Sequence, residues 1–208
     1  RYGNTLSLMP IHLILSFTPI CAANAFNPSV YSQSSKPIIM SAENSYTTAD
    51  FIEWNTAINL VHRLYKDKDY KMSLLIGCGI FFVLRISDIL QLSWDMLLDD
   101  SSFELIEKKT QKRREVIINK GFQKHIRDCY NALLVTDKSE KCFKSRERRV
   151  YSIQRINMLL KEIKKKYSIK SVKTFSTHSL SKTFGRHVYE IADSNGEMAL
   201  VMLSELFN

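Results

Sequence analysis

The stretch from Thr177 to His187 brings a histidine and two cations, Lys182 and Arg186, onto what reads as the start of a helix. Thr177 can cap it, and Leu180, Phe184, Val188 and Ile191 follow at helical spacing. His178 and Lys182 then share one face, with roughly 5–6 Å between their Cβ atoms. A histidine beside cations at a helix start can bind a phosphate oxygen and move a proton to or from it. Taken alone, the same residues also fit a basic surface helix with one solvated histidine.

Two other places carry comparable chemistry. Arg85 follows the apolar run from Gly77 to Leu84 directly. An arginine emerging from a core run is costly to bury unless it meets an anion, and Asp88, three residues on, can hold it in place. A structural Arg-Asp pair is the plain alternative. Further on, Lys108, Lys109, Lys112, Arg113 and Arg114 crowd a short stretch between two strand-like segments. A basic hairpin tip of this kind can reach phosphates in a DNA groove, although basic turns are often only solvated. Lys138, Lys141, Lys144, Arg146, Arg148 and Arg149 form a second basic strip between two helical patterns.

Composition agrees with an anionic partner. The 208 residues hold 30 Lys and Arg against 21 Asp and Glu, a net charge of +9, with 45% apolar and 25% charged residues. That is an ordinary globular composition with a nucleic-acid-like charge excess, which simple solubility would also use. The cysteines at 21, 78, 129 and 142 form no Cys-x-x-Cys pair, and no His-x-x-x-His pattern accompanies them. No metal site is expected, and Cys78 and Cys129 read as reduced, packed residues of a cytoplasmic protein.

The elements that must position these groups are mostly helical. Thr47 and Asp50 resemble a capping box ahead of Phe51, Trp54, Ile58, Val61 and Leu64, which predicts an amphipathic helix of about five turns. A second helix is predicted from Asp69 through the apolar run, buried at the centre of the domain. Phe103, Leu105 and Glu107 alternate with Glu104, Ile106 and Lys108, and Val116 to Ile118 is β-branched, so a hairpin is expected there. Helices are predicted over residues 121–134 and 151–167, with a linker between them, and a short apolar helix after Gly196.

Residues 1–39 differ from the rest, with Arg1 and Lys36 their only charged side chains. Pro10, His12 and Pro19 interrupt the apolar run too often for a span of about 20 residues, so no membrane is expected. Arg1, the run and Ala23-Asn24-Ala25 imitate a secretory signal. Upstream sequence read into the product is preferred, because Met40 precedes a helix start. The domain is therefore read as 40–208, with 1–39 an extension whose Ser-rich part, 29–35, is a linker.

In this order, Leu84-Arg85-Ile86-Ser87-Asp88-Ile89-Leu90, Lys109-Thr110 in the hairpin and His178-x-Leu180 resemble the catalytic domain of the tyrosine recombinases, the phage and conjugative-element integrases. The resemblance covers roughly residues 47–208. It implies an α+β, mainly α, fold: a helical catalytic domain with a small antiparallel β-sheet. It also implies double-stranded DNA as partner, a homo-oligomer on DNA, and chemistry without metal or cofactor. In that chemistry a tyrosine attacks a phosphodiester, a 3′-phosphotyrosyl link forms, and a 5′-hydroxyl leaves. Arg85 would bind nonbridging oxygens, Lys109 would be the general acid, His178 would donate to the phosphate, and Asp88 would orient the cations. Lys112, Arg113, Arg114, Arg146, Arg148, Arg149 and Arg186 would contact DNA. Three departures stand out. Ser181 occupies the position of an arginine, for which Lys182 or Arg186 could substitute in part; Val83 stands where glycine is common; and no tyrosine follows Tyr189. The expectation is a domain truncated before its nucleophile and inactive as given, or else a DNA-binding remnant.

Overall fold

The computed structural model describes residues 50–98, 101–192 and 203–204, all within one compact unit. Thr47, Cys21, residues 1–39 and most of the apolar segment after Gly196 lie outside the described residues.

The chain enters through an extended segment. Asp50 accepts a hydrogen bond from the Lys173 amide (2.7 Å), and the Ile52 amide donates to Thr183 Oγ1 (3.0 Å). These long-range bonds consume groups that a helix start would have used, so α1 begins at Trp54 and ends at Lys66, more than a turn shorter than its apolar pattern suggested. Lys68, in the left-handed region (φ 63°), closes it, with the Asp69 amide reaching back to the Leu64 carbonyl.

Asp69 caps the next helix by accepting from the Met72 amide (3.4 Å), and α2 runs from Tyr70 to Phe81. Every residue from Met72 to Ile80 is buried. A helix this apolar all round can only sit inside, and its two glycines lie on different sides of it. A Cβ on Gly77 would stand 2.4 Å from the Phe122 ring, and one on Gly79 would stand 2.5 Å from Leu180 Cδ1 and 3.0 Å from Leu180 Cβ. The glycines therefore set how closely its neighbours approach. Gly79→Ala should gain helix propensity yet lose more to overpacking, because Leu180 Cβ cannot rotate away. We expect a net loss of about 1–2 kcal/mol and a thermal midpoint lower by roughly 2–8 °C; an unchanged or raised midpoint in a calorimetric scan would contradict the close crossing.

The apolar run does not stay helical to Leu84. After Phe82 the chain turns at Val83, passes Arg85 and forms the short α3 (Ile86–Ile89), then α4 (Trp94–Leu98). Strands β1 (Ser102–Ile106) and β2 (Arg113–Ile117) pair antiparallel with Phe103 opposite Val116 and Leu105 opposite Arg114. The alternation holds: Phe103 and Glu107 are buried, while Ile106 is 61% exposed. Asn119 accepts from the Gly121 amide (2.8 Å) to start α5 (Lys120–Ala132), and Ser152 accepts from the Arg155 amide (3.1 Å) to start α6 (Ile153–Lys166).

The segment between α5 and α6 is not a simple linker. Residues Ser93 and Lys141 form an antiparallel bridge, as do Lys144 and Val150, and Cys142 and Phe143 are buried. The last long helix, α7, spans Thr177–Ile191. Its N-cap is Ser176, not Thr177, whose amide is instead held by Asn157 Oδ1 (3.1 Å). Cys78, Cys129 and Cys142 are buried and free, and burial pushes the Cys129 thiol up to about 12. No helix among the described residues is long and apolar enough to cross a membrane.

Candidate phosphate site

The site grows out of the turn that ends α2. Phe82 packs against Phe103 of β1 (ring centroids 5.4 Å) and Phe122 of α5 (5.5 Å), which seats the turn between hairpin and helix. Val83 then takes φ 53°, the left-handed region that glycine enters freely and a β-branched residue enters with strain. The turn keeps a glycine-like conformation without glycine. Burial of Val83 (6% exposed) offsets that strain, since a buried valine side chain contributes about 1.5–3 kcal/mol.

Arg85 follows as the N-cap residue of α3, in extended conformation, and its side chain remains 34% exposed. Its partner is not Asp88. Arg85 Nη1 donates to Glu107 Oε2 at 2.7 Å, across the gap between α3 and the end of β1. Asp88 faces the backbone of the hairpin: its Oδ1 accepts from the Lys108 amide (2.9 Å) and from Ser87 Oγ (3.4 Å). The other oxygen, Oδ2, is buried and has no hydrogen-bond partner among the described residues. The expected Arg85–Asp88 pair is thus replaced by two links to the hairpin, because the turn at Val83 aims Arg85 toward β1.

Glu107 was not singled out in the sequence, although the alternation with Phe103 and Leu105 placed it on the inward face. It accepts from Arg85 and from Thr110 Oγ1 (2.7 Å) on Oε2, and from Arg114 Nη1 (3.2 Å) on Oε1. Burial works to raise the pKa of its carboxyl, but Thr110, Arg114 and Arg85 outweigh it and hold the group below the usual glutamate value. Glu107 is therefore ionised at neutral pH. The loop itself turns through Lys108–Thr110 and closes with Gln111 at φ 56°, its amide donating to the Glu107 carbonyl (2.9 Å). Lys109 stands exposed at the tip.

His178 sits exposed in the first turn of α7, where the helix dipole favours an anion. That turn is fixed by three contacts. The Ser176 amide donates to Ser179 Oγ (3.2 Å), Asn157 holds the Thr177 amide, and Leu180 packs on Gly79 of α2. So α2 links the two halves, carrying Arg85 from its C-terminal end and receiving α7 on its flank. Ser181 is half-buried one turn after His178, and Lys182 is exposed beside it. Arg186 has partners of its own. Its Nε meets Glu190 Oε1 at 2.6 Å, and its guanidinium lies over the rings of Phe51 and Tyr189. His187 is a packing residue, stacked on Trp54 at 3.8 Å, and burial pushes its pKa down against the opposing pull of Glu190.

The other basic residues divide by surroundings. Arg114 is turned inward, with Nη2 also reaching the Phe82 carbonyl (3.4 Å), and Arg113 pairs with Glu104 (3.2 Å) on the open face of the hairpin. Lys112 is exposed near the tip. Arg146, Arg148 and Arg149 are exposed on the tight turn between Lys144 and Val150, and none forms an ion pair among the described residues. Lys141 and Lys144 are occupied by the Gln91 carbonyl and by Glu140 respectively. No cluster of three potential metal ligands occurs among the described residues.

Comparison with known proteins follows the same elements. Residues 54–194 match the Phage integrase family. Probable integrase/recombinase YoeC of Bacillus subtilis (strain 168) is 30% identical over 125 residues, which are 60% of this chain and 66% of YoeC. The crystal structure of XerA recombinase is similar in fold, with a TM-score of 0.57 at 17% identity over 84% of this chain and 64% of XerA. XerH site-specific recombinase, bound to palindromic difH substrate in a post-cleavage complex, gives 0.58 at 16% identity over 80% of this chain and 48% of XerH. The chain thus spans a little under two thirds of YoeC and XerA and about half of XerH. The family match begins on the first residue of α1 and runs past the end of α7, taking in every element that carries Arg85, the hairpin and His178, and it makes this chain a member of the Phage integrase family with the fold of a tyrosine recombinase catalytic domain.

Proposed function

We propose that this chain binds duplex DNA and seats a backbone phosphate among Arg85, Lys109 and His178, as part of site-specific recombination by strand cleavage and rejoining through a phosphotyrosyl intermediate. The observation that carries the reading is the hydrogen-bonded tie between Arg85 and the loop bearing Lys109. It links a fork-shaped donor to the loop that carries an exposed ammonium group. The guanidinium suits two nonbridging oxygens, and the ammonium suits proton delivery to a leaving oxygen. Asp88 supports the arrangement through the Lys108 backbone rather than through the cations. Lys112, Arg146, Arg148 and Arg149 extend the charge for backbone contacts on either side, and Lys182 supplies the cation nearest Ser181 along α7.

Ser181 favours a second reading, a non-catalytic DNA-binding or regulatory module that keeps the fold without the active site. Both readings require DNA binding, and a fluorescence titration with a labelled duplex tests it. Log affinity should fall by about 0.9 per phosphate contact for each tenfold rise in salt. Replacing Arg146, Arg148 and Arg149 together by alanine should weaken binding and lower that slope by up to ~2.7, if each holds one phosphate. Absence of binding at low salt would remove both readings, and an unchanged slope in the triple variant would remove the turn from the interface.

A further inference from the structure

Glu107 ties the residue that precedes α3 to two points of the hairpin, one at its tip and one on β2. Its Oε2 is shared by Arg85 Nη1 and Thr110 Oγ1, each at 2.7 Å, and its Oε1 takes Arg114 Nη1 at 3.2 Å. Arg85 precedes α3, Thr110 adjoins Lys109 at the hairpin tip, and Arg114 lies on β2 while its other terminal nitrogen reaches Phe82 in the turn that presents Arg85. The carboxylate side chain is only 7% exposed and the Arg85 side chain 34%, so Glu107 stands on the inner side of the guanidinium and leaves its outer side to an incoming ligand. A carboxylate suits the place because it only accepts, whereas an amide there would turn an NH2 toward one of three donors.

We infer that Glu107 is a positioning residue that fixes the Lys109 loop relative to Arg85, so that both present their donors to one phosphate. This rests on the reading of Arg85 and Lys109 as phosphate ligands. Because one oxygen serves both the arginine and the neighbour of the lysine, neither moves without lengthening a charge-assisted hydrogen bond. Asp88 reinforces the same loop from α3 through the Lys108 amide.

The test separates loop position from DNA binding. Thr110→Val removes the hydroxyl that donates to the Glu107 carboxylate and accepts at 3.4 Å from the Lys112 amide, and leaves both ion pairs, and Thr110→Ser restores the hydroxyl. The full chain of each is digested with trypsin, with cleavage after Lys108, Lys109 and Lys112 followed by mass spectrometry, and is titrated with duplex DNA. Thr110→Val should be cut roughly 10- to 100-fold faster at the tip, the factor that losing a hydrogen bond to a charged group gives in a local opening equilibrium. Its salt slope should fall by about 0.9, one phosphate contact. Thr110→Ser should match the wild type in both. Glu107→Gln, which keeps the size, should act in the direction of Thr110→Val and at least as strongly. Equal cleavage rates in the wild type and Thr110→Val would overturn the positioning role. Faster cleavage with unchanged duplex affinity would uphold it and count instead against Lys109 as a phosphate ligand.

Discussion

Replacing Ser181 by arginine is expected to accelerate DNA strand cleavage by roughly 10²–10³-fold, the size of effect seen when one donor to a developing oxyanion is lost or restored. Ser181 lies three residues after His178 on α7, so the two share a face. It is half-buried behind a first turn already pinned by Asn157, Ser179 and the Gly79 crossing, so a new side chain there would start from a fixed backbone. The present cations cannot do the same work. Lys182 points about 100° further round the helix and offers a point charge without a planar fork. Arg186 is engaged by Glu190, Phe51 and Tyr189. The measurement is covalent adduct formation on a nicked suicide duplex, in a chain carrying a tyrosine nucleophile. Acceleration would show that the scaffold still supports the chemistry. No acceleration, with duplex affinity unchanged as well, would place residue 181 outside the phosphate site.

The second large effect concerns stability. Phe143→Ala should lower the free energy of unfolding by about 3–5 kcal/mol, as for other fully buried phenylalanines. That is a large fraction of the roughly 5–15 kcal/mol that holds a typical domain folded. Phe143 is 0% exposed although the residues on either side belong to a strongly basic strip. It is held where Cys142 donates to the Leu92 carbonyl (3.0 Å) and Tyr151 donates to the carbonyl of Phe143 itself (3.0 Å). The ring therefore anchors the turn that carries Arg146, Arg148 and Arg149. Urea unfolding of the variant should show a lower midpoint at an unchanged slope. A loss under about 0.5 kcal/mol, the size expected of a surface change, would mean that the segment is a linker after all.

These two positions show where reading residues in order succeeds and where it stops. Helical period with capping residues identified α1, α5, α6 and α7, and the apolar run identified α2, because a stripe or a continuous run of apolar residues has few places to go except against a core. Strand alternation identified the hairpin and its basic tip for the same reason. The candidate residues Arg85 and His178 were also visible, since an arginine after a core run and a histidine at a helix start are conspicuous by type, whereas Lys109 was picked out of its basic tip only by the family resemblance. What remained hidden were partnerships between distant segments. Asp50 and Ile52 look like the start of a helix until their groups are found bonded to Lys173 and Thr183. Arg85 looks paired with Asp88, three residues away, yet the left-handed turn at Val83 sends it to Glu107, twenty-two residues on. Phe143 looks like part of a solvated loop until the bridges at Lys141 and Lys144 fold it inward.

The opening stretch divides in the same way. Its helical period and chemical character belong to the sequence alone, as does the serine at 181, because they depend only on residue type and spacing. Which of its basic groups find partners within the fold and which stay open was decided by the tertiary structure. Stacking on Trp54 takes His187 into packing and Glu190 pairs with Arg186 at the surface, while the Gly79–Leu180 crossing fixes the turn that leaves His178 exposed. Period and residue type record each element's own preferences; ion pairs, stacking and close helix crossings depend on which elements meet, and that is settled only when the whole core assembles.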